Sequence, residues 1–310
     1  MSKAERVCSD LSAALDELRS AGFRLDSIYP ADDPHTALLS RGNEVLRVTT
    51  RPGSALPSEI PHFAPDFVLT PAGGDGGQGR AGMIYRDLVP GRLGGRYIAS
   101  HILIPEGGAV ADWVHYHRVA LQLIAVRRGW VRVVYEDQGD PFVMQPGDLV
   151  LQPPEIRHRV LESSSGLEVI EISCPALHET LADHDLELPN GANSEHLFGG
   201  QAFVRHIGTA APWNPFKGGE AQETSIADAT QGLADVRFLR FAGSAPITFA
   251  GHDGELVFGF VLEGSASLGF GPGFALGPAD SFVIPPGEPW TLSGSSADFR
   301  LLYVTTARLG

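Results

Sequence analysis

One stretch organises the rest of this chain: residues 111–122, which read Ala-Asp-Trp-Val-His115-Tyr116-His117-Arg-Val-Ala-Leu-Gln122. Side chains alternate along a β-strand, so His115 and His117 would point to one face and Tyr116 to the other. Gln122 follows His117 at a distance that fits a tight connection and the start of the next strand. The spacing therefore predicts two imidazoles on one face of a sheet, with an amide nearby.

A second stretch, residues 146–158, reads Pro-Gly-Asp-Leu-Val-Leu-Gln-Pro153-Pro-Glu155-Ile-Arg-His158. Its Gly and Pro residues mark turns, and His158 begins a β-like run. A histidine in a strand is usually an ordinary hydrogen-bonded side chain, and a His-X-His pair alone is weak grounds for a metal. Three histidines from two strands with a nearby amide make a reasonable ligand set, because imidazole suits Zn, Cu, Fe and Ni.

The spacing of these residues resembles the two motifs of the cupin family. The first motif is filled by Gly108, His115, His117, Gln122 and Gly129. The second is matched by Gly147, Pro153 and His158, whereas Glu155 and Glu162 replace its usual Gly and Asn. The resemblance covers residues 95–175. It implies one divalent transition metal per chain, with His115, His117, Gln122 and His158 as ligands and Fe(II) favoured over Mn, Ni, Co or Zn.

Composition limits the classes to which the protein can belong. The 310 residues are 43% hydrophobic, with 37 Gly and 23 Pro, which suits many short strands joined by turns. The net charge of −14 and the lack of a basic run argue against nucleic-acid binding. No apolar run is long enough to span a membrane. Cys8 and Cys174 form no disulfide framework, which favours a cytoplasmic location.

The predicted fold class is mostly β, with two cupin-like jelly-roll barrels, an N-terminal helix and a small αβ extension. Residues 1–94 form the extension, 95–175 the metal-binding barrel, 176–220 a linker and 221–310 a degenerate second barrel. A helix is expected over residues 2–21, because Ser2 and Glu5 form a capping-box pattern before an apolar stripe. That stripe consists of Val7, Leu11, Leu15 and Leu18.

The linker is expected to contain a helical segment, Ala176 to Ala182. It also carries histidines whose spacing matches no ligand set and which are expected to be solvated. They are His178, His184, His196 and His206.

The second barrel keeps the turn pattern of the first but few of its ligands. Counting from Gly264 and Asp280 places Ala250, His252, Val257 and Trp290 at the positions of His115, His117, Gln122 and His158. One imidazole alone holds a divalent metal poorly, because such sites generally need three or more protein ligands. The second barrel is therefore expected to contribute stability or assembly rather than chemistry.

The leading functional hypothesis is a metal-dependent dioxygenase, quercetinase-like or ring-cleaving, that acts on a small anionic or aromatic chelating substrate. Three imidazoles and an amide are all neutral, so the metal would keep its full charge and attract an anion. Gln122 stands where the family often has Glu, so the usual general base is missing. Glu155 and Tyr116 are the candidates for that role, although a regular strand turns Tyr116 away from the metal.

Two alternatives remain. The metal could act as a Lewis acid in a non-redox lyase, isomerase, decarboxylase or hydrolase, or the protein could be a non-enzymatic small-molecule binding or sensor module. The fold alone does not choose among them. The expected partners are a small-molecule substrate and a second copy of the chain in a homodimer, which sedimentation would test.

Overall fold

The computed structural model describes residues 4–74, 76–79 and 82–309, and it is built mainly from β-strands. Two β-barrels pack against each other, and a small N-terminal extension precedes them in the chain. This agrees with the predicted fold class. Neither of the described helices is both long and apolar enough to cross a membrane.

The N-terminal extension is a helix packed on four strands of a sheet that continues into the first barrel. Its elements are β1 (Ala4–Val7), α1 (Leu11–Ser20), β2 (Arg24–Tyr29), β3 (Thr36–Arg41) and β4 (Glu44–Thr49). Strands β2, β3 and β4 are antiparallel, whereas β1 runs parallel to β4. The apolar stripe of α1 is buried at Leu11, Leu15 and Leu18, as its helical spacing predicts.

The predicted helix over residues 2–21 is wrong at its N-terminal end. Glu5 and Val7 lie in β1, Val7 is exposed, and Ser2 lies outside the described residues. The cap is Asp10, whose carboxylate accepts a hydrogen bond from the Ala13 amide at 3.0 Å. Residues 4–7 extend because β4 supplies backbone partners about 40 residues away, which local spacing does not reveal.

The first barrel is formed by two sheets whose strands lie between residues 77 and 206. The strands from the end of the extension to the linker are β5 (Val68–Thr70), β6 (Gly77–Gln78), β7 (Ile84–Asp87), β8 (Ile98–Ile104), β9 (Gly108–Ala109), β10 (His115–His117), β11 (Leu121–Arg128), β12 (Val131–Tyr135), β13 (Phe142–Met144), β14 (Leu149–Leu151), β15 (His158–Ser163), β16 (Leu167–Cys174), β17 (Thr180–Ala182), β18 (Leu197–Phe198), β19 (Gln201–Ala202) and β20 (Val204–His206). One sheet has the order β17-β10-β15-β12-β13 and continues into the extension through β2, and the other has the order β20-β14-β11-β16-β8-β7-β6. β18 and β19 form a separate hairpin.

The second barrel repeats this plan. Its elements are β21 (Asn214–Phe216), β22 (Gly219–Glu223), α2 (Ile226–Ala229), β23 (Ala234–Arg240), β24 (Ile247–Phe249), β25 (Val257–Glu263), β26 (Ala266–Gly269), β27 (Phe274–Leu276), β28 (Ser281–Val283), β29 (Trp290–Ser293) and β30 (Arg300–Thr306). One sheet has the order β21-β22-β23-β30-β25-β28-β5, and the other has the order β24-β29-β26-β27.

Strand pairing crosses the predicted segment boundaries. β5 belongs to the N-terminal segment in sequence but pairs with β28 of the second barrel. β17 and β20, from the expected linker, pair with β10 and β14 of the first barrel. The helix predicted for residues 176–182 is therefore wrong, because the end of this segment completes a sheet instead of forming its own hydrogen bonds.

The two barrels share one apolar core. On β11, Leu121, Leu123 and Ala125 face this common core together with Phe258 and Phe260 of β25. The alternate residues of β11, Gln122 and Ile124, face the interior of the first barrel. One face of β11 thus packs in the core between the barrels, and the other face contributes Gln122 and Ile124 to the interior of the first barrel.

Candidate metal centre

Three histidines converge inside the first barrel. His115 pairs across the sheet with His158, and His117 extends from the same face of β10 as His115. Their ring centroids lie 4.3 Å (His115–His158), 5.3 Å (His115–His117) and 5.4 Å (His117–His158) apart. The nitrogens that could ligate an ion all lie within 4.8 Å of one another, and the three residues are buried. The cluster is compact enough for one metal ion.

Each imidazole is oriented by the backbone. Nδ1 of His115 donates to the Trp113 carbonyl at 2.8 Å, Nδ1 of His158 to the Ile156 carbonyl at 3.0 Å, and Nδ1 of His117 to the Glu179 carbonyl at 3.2 Å. A neutral imidazole that donates through Nδ1 carries its lone pair on Nε2, the nitrogen that would bind a metal. The three rings therefore share one tautomer, which suits a metal centre.

Gln122 lies beside the histidines and is fixed by a carboxylate. It is 2% exposed, and its Nε2 donates to Oε1 of Glu171 at 2.9 Å. With the amide nitrogen held in this way, the amide oxygen is the atom that would face a metal. Glu171 also accepts from the Ser173 hydroxyl at 3.2 Å and lines the same cavity.

Glu171 was missed in the sequence, although a signal for it exists. On β16 it is in phase with Leu167 and Val169, which also line the cavity. Ile170 and Ile172 face the shared core instead. A carboxylate in phase with apolar residues that line a cavity is unusual enough to indicate a role in the site.

The histidines and Gln122 line a cavity of about 80 Å³. Most of the remaining wall is apolar, and the exceptions are Tyr85, Tyr135, Gln152 and Glu171. Tyr135 stacks on the ring of His158, with centroids 5.5 Å apart and an angle of 22° between the planes. Burial raises the pKa of Tyr135, so its hydroxyl stays protonated.

Glu155 and Tyr116 lie outside this cavity. Glu155 is exposed and accepts from Nε of Arg118 at 3.1 Å. Tyr116 faces away from the histidines, as alternation predicts, and its ring lies 4.1 Å below the Arg157 guanidinium. The catalytic role of these two residues stays a prediction.

Glu155 nevertheless has an unusual backbone. Its φ is +63°, in the left-handed region, and its amide donates to the His117 carbonyl at 3.0 Å. It occupies the position where the cupin motif has Gly. Its backbone thus supports β10 from outside the barrel.

Two of the linker histidines are buried instead of solvated. His178 lies with its ring centroid 5.3 Å from that of His117, and its Nδ1 donates to the Pro175 carbonyl at 2.9 Å. His206 stacks on Phe238, and burial lowers its pKa. Sequence spacing missed both because β17 and β20 join the first barrel.

The second barrel fills the corresponding interior with aromatic rings. Phe249 pairs with Trp290 as His115 pairs with His158, so Phe249, and not the expected Ala250, stands at the His115 position. The amide of Gly287 donates to the His252 carbonyl as that of Glu155 does to the carbonyl of His117, which confirms the match of His252 with His117. One extra residue between Phe249 and His252 shifts the count.

Comparison of the sequence with family models and with curated proteins finds no match. The fold, however, is shared with solved structures. Ylba from E. coli superposes with a TM-score of 0.57 at 12% identity, over 81% of this chain and 95% of that one. Salicylate 1,2-dioxygenase from Pseudoaminobacter salicylatoxidans gives 0.56 at 18%, over 80% and 83%. Oxalate decarboxylase from Lactobacillus farciminis gives 0.55 at 13%, over 83% and 88%. These likenesses show the two-barrel cupin fold.

Proposed function

From this two-barrel cupin fold, we propose that the first barrel is the active site of a metal-dependent enzyme. His115, His117 and His158 bind one divalent transition metal, with Gln122 as a fourth, weaker ligand. The observation that carries the proposal is the shared orientation of the three imidazoles, each held through Nδ1 by a backbone carbonyl. Backbone carbonyls of this kind fix metal-binding histidines in position and tautomer.

The reaction that we favour is a dioxygenase reaction on a small anionic, chelating substrate. The four proposed ligands are neutral, so the metal charge is left to attract an anion. Fe(II) is the favoured metal, because it supplies oxygen chemistry at sites that leave adjacent positions open, although Mn, Ni, Co or Zn would also accept these ligands. The structural likeness to salicylate 1,2-dioxygenase supports this choice.

The cavity limits the size of the substrate. About 80 Å³ is the liquid volume of roughly three water molecules. This favours a small carboxylic acid or a single-ring phenolic acid over the polycyclic substrate of a quercetinase-like enzyme. The apolar wall removes water from such a substrate, and Glu171 keeps Gln122 oriented.

A non-redox reaction is the second candidate, and Glu171 is the observation that favours it. A decarboxylase must deliver a proton to the carbon that loses carbon dioxide, and a carboxyl group inside the cavity is suited to that task. The likeness to an oxalate decarboxylase agrees with this reading.

One experiment separates these candidates. Protein purified without a polyhistidine tag is analysed for metal and then loaded with Fe(II) or Mn(II). Oxygen uptake is measured against phenolic acids and 1,3-diketones, and carbon dioxide release against oxalate and related acids, with His158→Ala as the control. Oxygen uptake that is lost in His158→Ala supports the dioxygenase. Carbon dioxide release without oxygen uptake supports the decarboxylase, and metal-dependent binding without turnover would identify a binding module.

A further inference from the structure

Two polar side chains meet on the apolar wall of the cavity, Gln152 and Tyr135. They are 1% and 2% exposed, and Nε2 of Gln152 donates to the Tyr135 hydroxyl at 2.8 Å. Oε1 of Gln152 is buried and has no hydrogen-bond partner among the described residues. Leaving a buried polar atom of this kind without a partner is costly, so a water molecule or a ligand in the cavity is expected to bind it.

The imbalance does not depend on how the amide is oriented. With Nε2 of Gln152 directed at Tyr135, Oε1 of Gln152 receives no hydrogen bond. In the described part of the chain, the Tyr135 hydroxyl proton also has no acceptor. If the amide were rotated, Tyr135 would donate to Oε1, and both amide N–H groups would need an acceptor instead. In either case the pair presents hydrogen-bonding capacity that the described residues do not use.

The pair lies directly beside the proposed metal ligands. Tyr135 is paired with His158 across β15, on the opposite side from His115, so the three residues form one row on the barrel wall. The backbone amide of Gln152 donates to the Gln122 carbonyl at 2.9 Å. Val133 and Met144 are among the apolar side chains that line the same cavity. A small molecule bound by the histidines would therefore meet this polar pair within the same cavity.

We propose that Gln152 and Tyr135 select the substrate by binding a hydroxyl group on the part of the molecule that does not chelate the metal. The substrate class is then a small chelating anion that carries a further hydroxyl. A hydroxyl both donates and accepts, so it complements the pair in either orientation of the amide. This inference rests on the proposed function, because the metal fixes the other end of the substrate.

The test measures binding to the full-length protein loaded with Zn²⁺, which has no redox chemistry. The probes are salicylate and its 3-, 4- and 5-hydroxy derivatives, with affinities measured by calorimetry. Gln152→Met removes the amide at similar volume, and Tyr135→Phe removes the hydroxyl but keeps the ring on His158. Met144→Leu is the matched control, because it changes the same cavity wall without altering a polar group.

We expect the wild type to bind at least one hydroxy derivative about 10-fold more tightly than salicylate, as one buried hydrogen bond allows. This preference should fall to about 2-fold or less in Gln152→Met and Tyr135→Phe and persist in Met144→Leu. The inference would be overturned if the wild type showed no preference for a hydroxy derivative over salicylate. It would also be overturned if Gln152→Met and Tyr135→Phe both kept that preference, even if these variants unfold at a lower temperature. Metal content is measured first. A wild type that takes up no metal contradicts the proposed function, whereas normal metal content without a preference contradicts only the role of this pair.

Discussion

In the first barrel a cross-strand pair joins His115 to His158, and in the second the matching pair joins Phe249 to Trp290. The rings of Phe249 and Trp290 stack in parallel, with centroids 3.9 Å apart and an angle of 6° between their planes. Trp290 is 2% exposed. Equivalent backbone positions therefore carry candidate metal ligands in the first barrel and packed aromatic rings in the second.

The retained histidine of the second barrel is also turned differently. His117 donates through Nδ1 to the Glu179 carbonyl, whereas Nε2 of His252 bonds the Thr306 carbonyl at 2.8 Å. Val257 and Tyr303 occupy the places of Gln122 and Glu171 in the strand register. The two barrels share a backbone fold, but only the first has the candidate metal site. Such a site requires both the ligand residues and the orientation of their rings, and the second barrel has neither.

The largest expected effect is on metal content. His117→Ala removes one of three imidazoles, and a divalent site with too few protein ligands does not hold its ion well. We expect bound metal to fall from about one per chain to near zero, measured by inductively coupled plasma mass spectrometry on untagged protein. His252→Ala is the control and should keep the wild-type value. Wild-type occupancy in His117→Ala would place the metal elsewhere.

The second effect concerns the packed interior of the second barrel. Trp290→Ala should lower the free energy of unfolding by about 3–5 kcal/mol, because it leaves a cavity beside Phe249. Trp290→Phe should cost less, and metal content should stay unchanged in both. Chemical denaturation measures the change. Loss of metal in folded Trp290→Ala would show that the barrels are not functionally independent.

A smaller effect is expected from His101, which connects the barrels. It contacts Phe260, and Arg86 and Glu168 lie at 3.3 Å and 2.9 Å from its ring nitrogens. Burial, and then the charge of Arg86, lowers the pKa of His101. The unfolded chain therefore takes up the proton first as the pH falls.

The stability that this neutral histidine contributes is complete above pH 6.5, its ordinary pKa, and is lost as the pH falls toward the lowered folded value. Denaturant titrations between pH 5 and 8 should show a shallower pH dependence in His101→Gln than in the wild type. His184→Gln, at an exposed histidine, is the control. An unchanged slope in His101→Gln would contradict the prediction.

The smallest effect comes from exchanging two turn residues. Glu155 and Gly287 donate to equivalent carbonyls with φ of +63° and +78°. Glu155→Gly should stabilise the protein by up to about 1 kcal/mol, because Gly adopts this conformation without strain. Gly287→Ala should destabilise it by about 1 kcal/mol, since its Cβ would meet no atom within 4 Å and only the backbone would be strained.

The same exchange tests the predicted catalytic role of Glu155. If that role holds, Glu155→Gly should lose turnover while it gains stability. A variant that is more stable and fully active would remove Glu155 from the list of catalytic candidates.

Strand alternation explains how much of the site the sequence could predict. It places His115 and His117 on one face, because that relation is local and depends only on the strand being extended. The fold class followed from the motif spacing and the many turns. Both kinds of information lie within short segments of the chain.

Non-local pairing explains what the sequence could not predict. Glu171, Tyr135 and Gln152 join the histidines only when the barrel closes, and their register comes from strands far apart in the chain. The sequence of residues 176–182 favours a helix, but Thr180–Ala182 form β17 because they pair with β10. The position of Phe249 depended on one extra residue in a loop, which counting along the sequence cannot detect.

The pairing of β5 with β28 also bears on how the chain is made. Val68–Thr70 leave the ribosome before any part of the first barrel, yet their partners Ser281–Val283 follow roughly 210 residues later. At typical rates of synthesis that interval is about 10–40 s. During this interval the first barrel can form around its histidines. The strand β5, which precedes that barrel in the chain, still lacks its partner β28. The second barrel is thus completed by a strand that precedes the first barrel in the chain, so β5 and β28 can pair only after the whole first barrel has been synthesised.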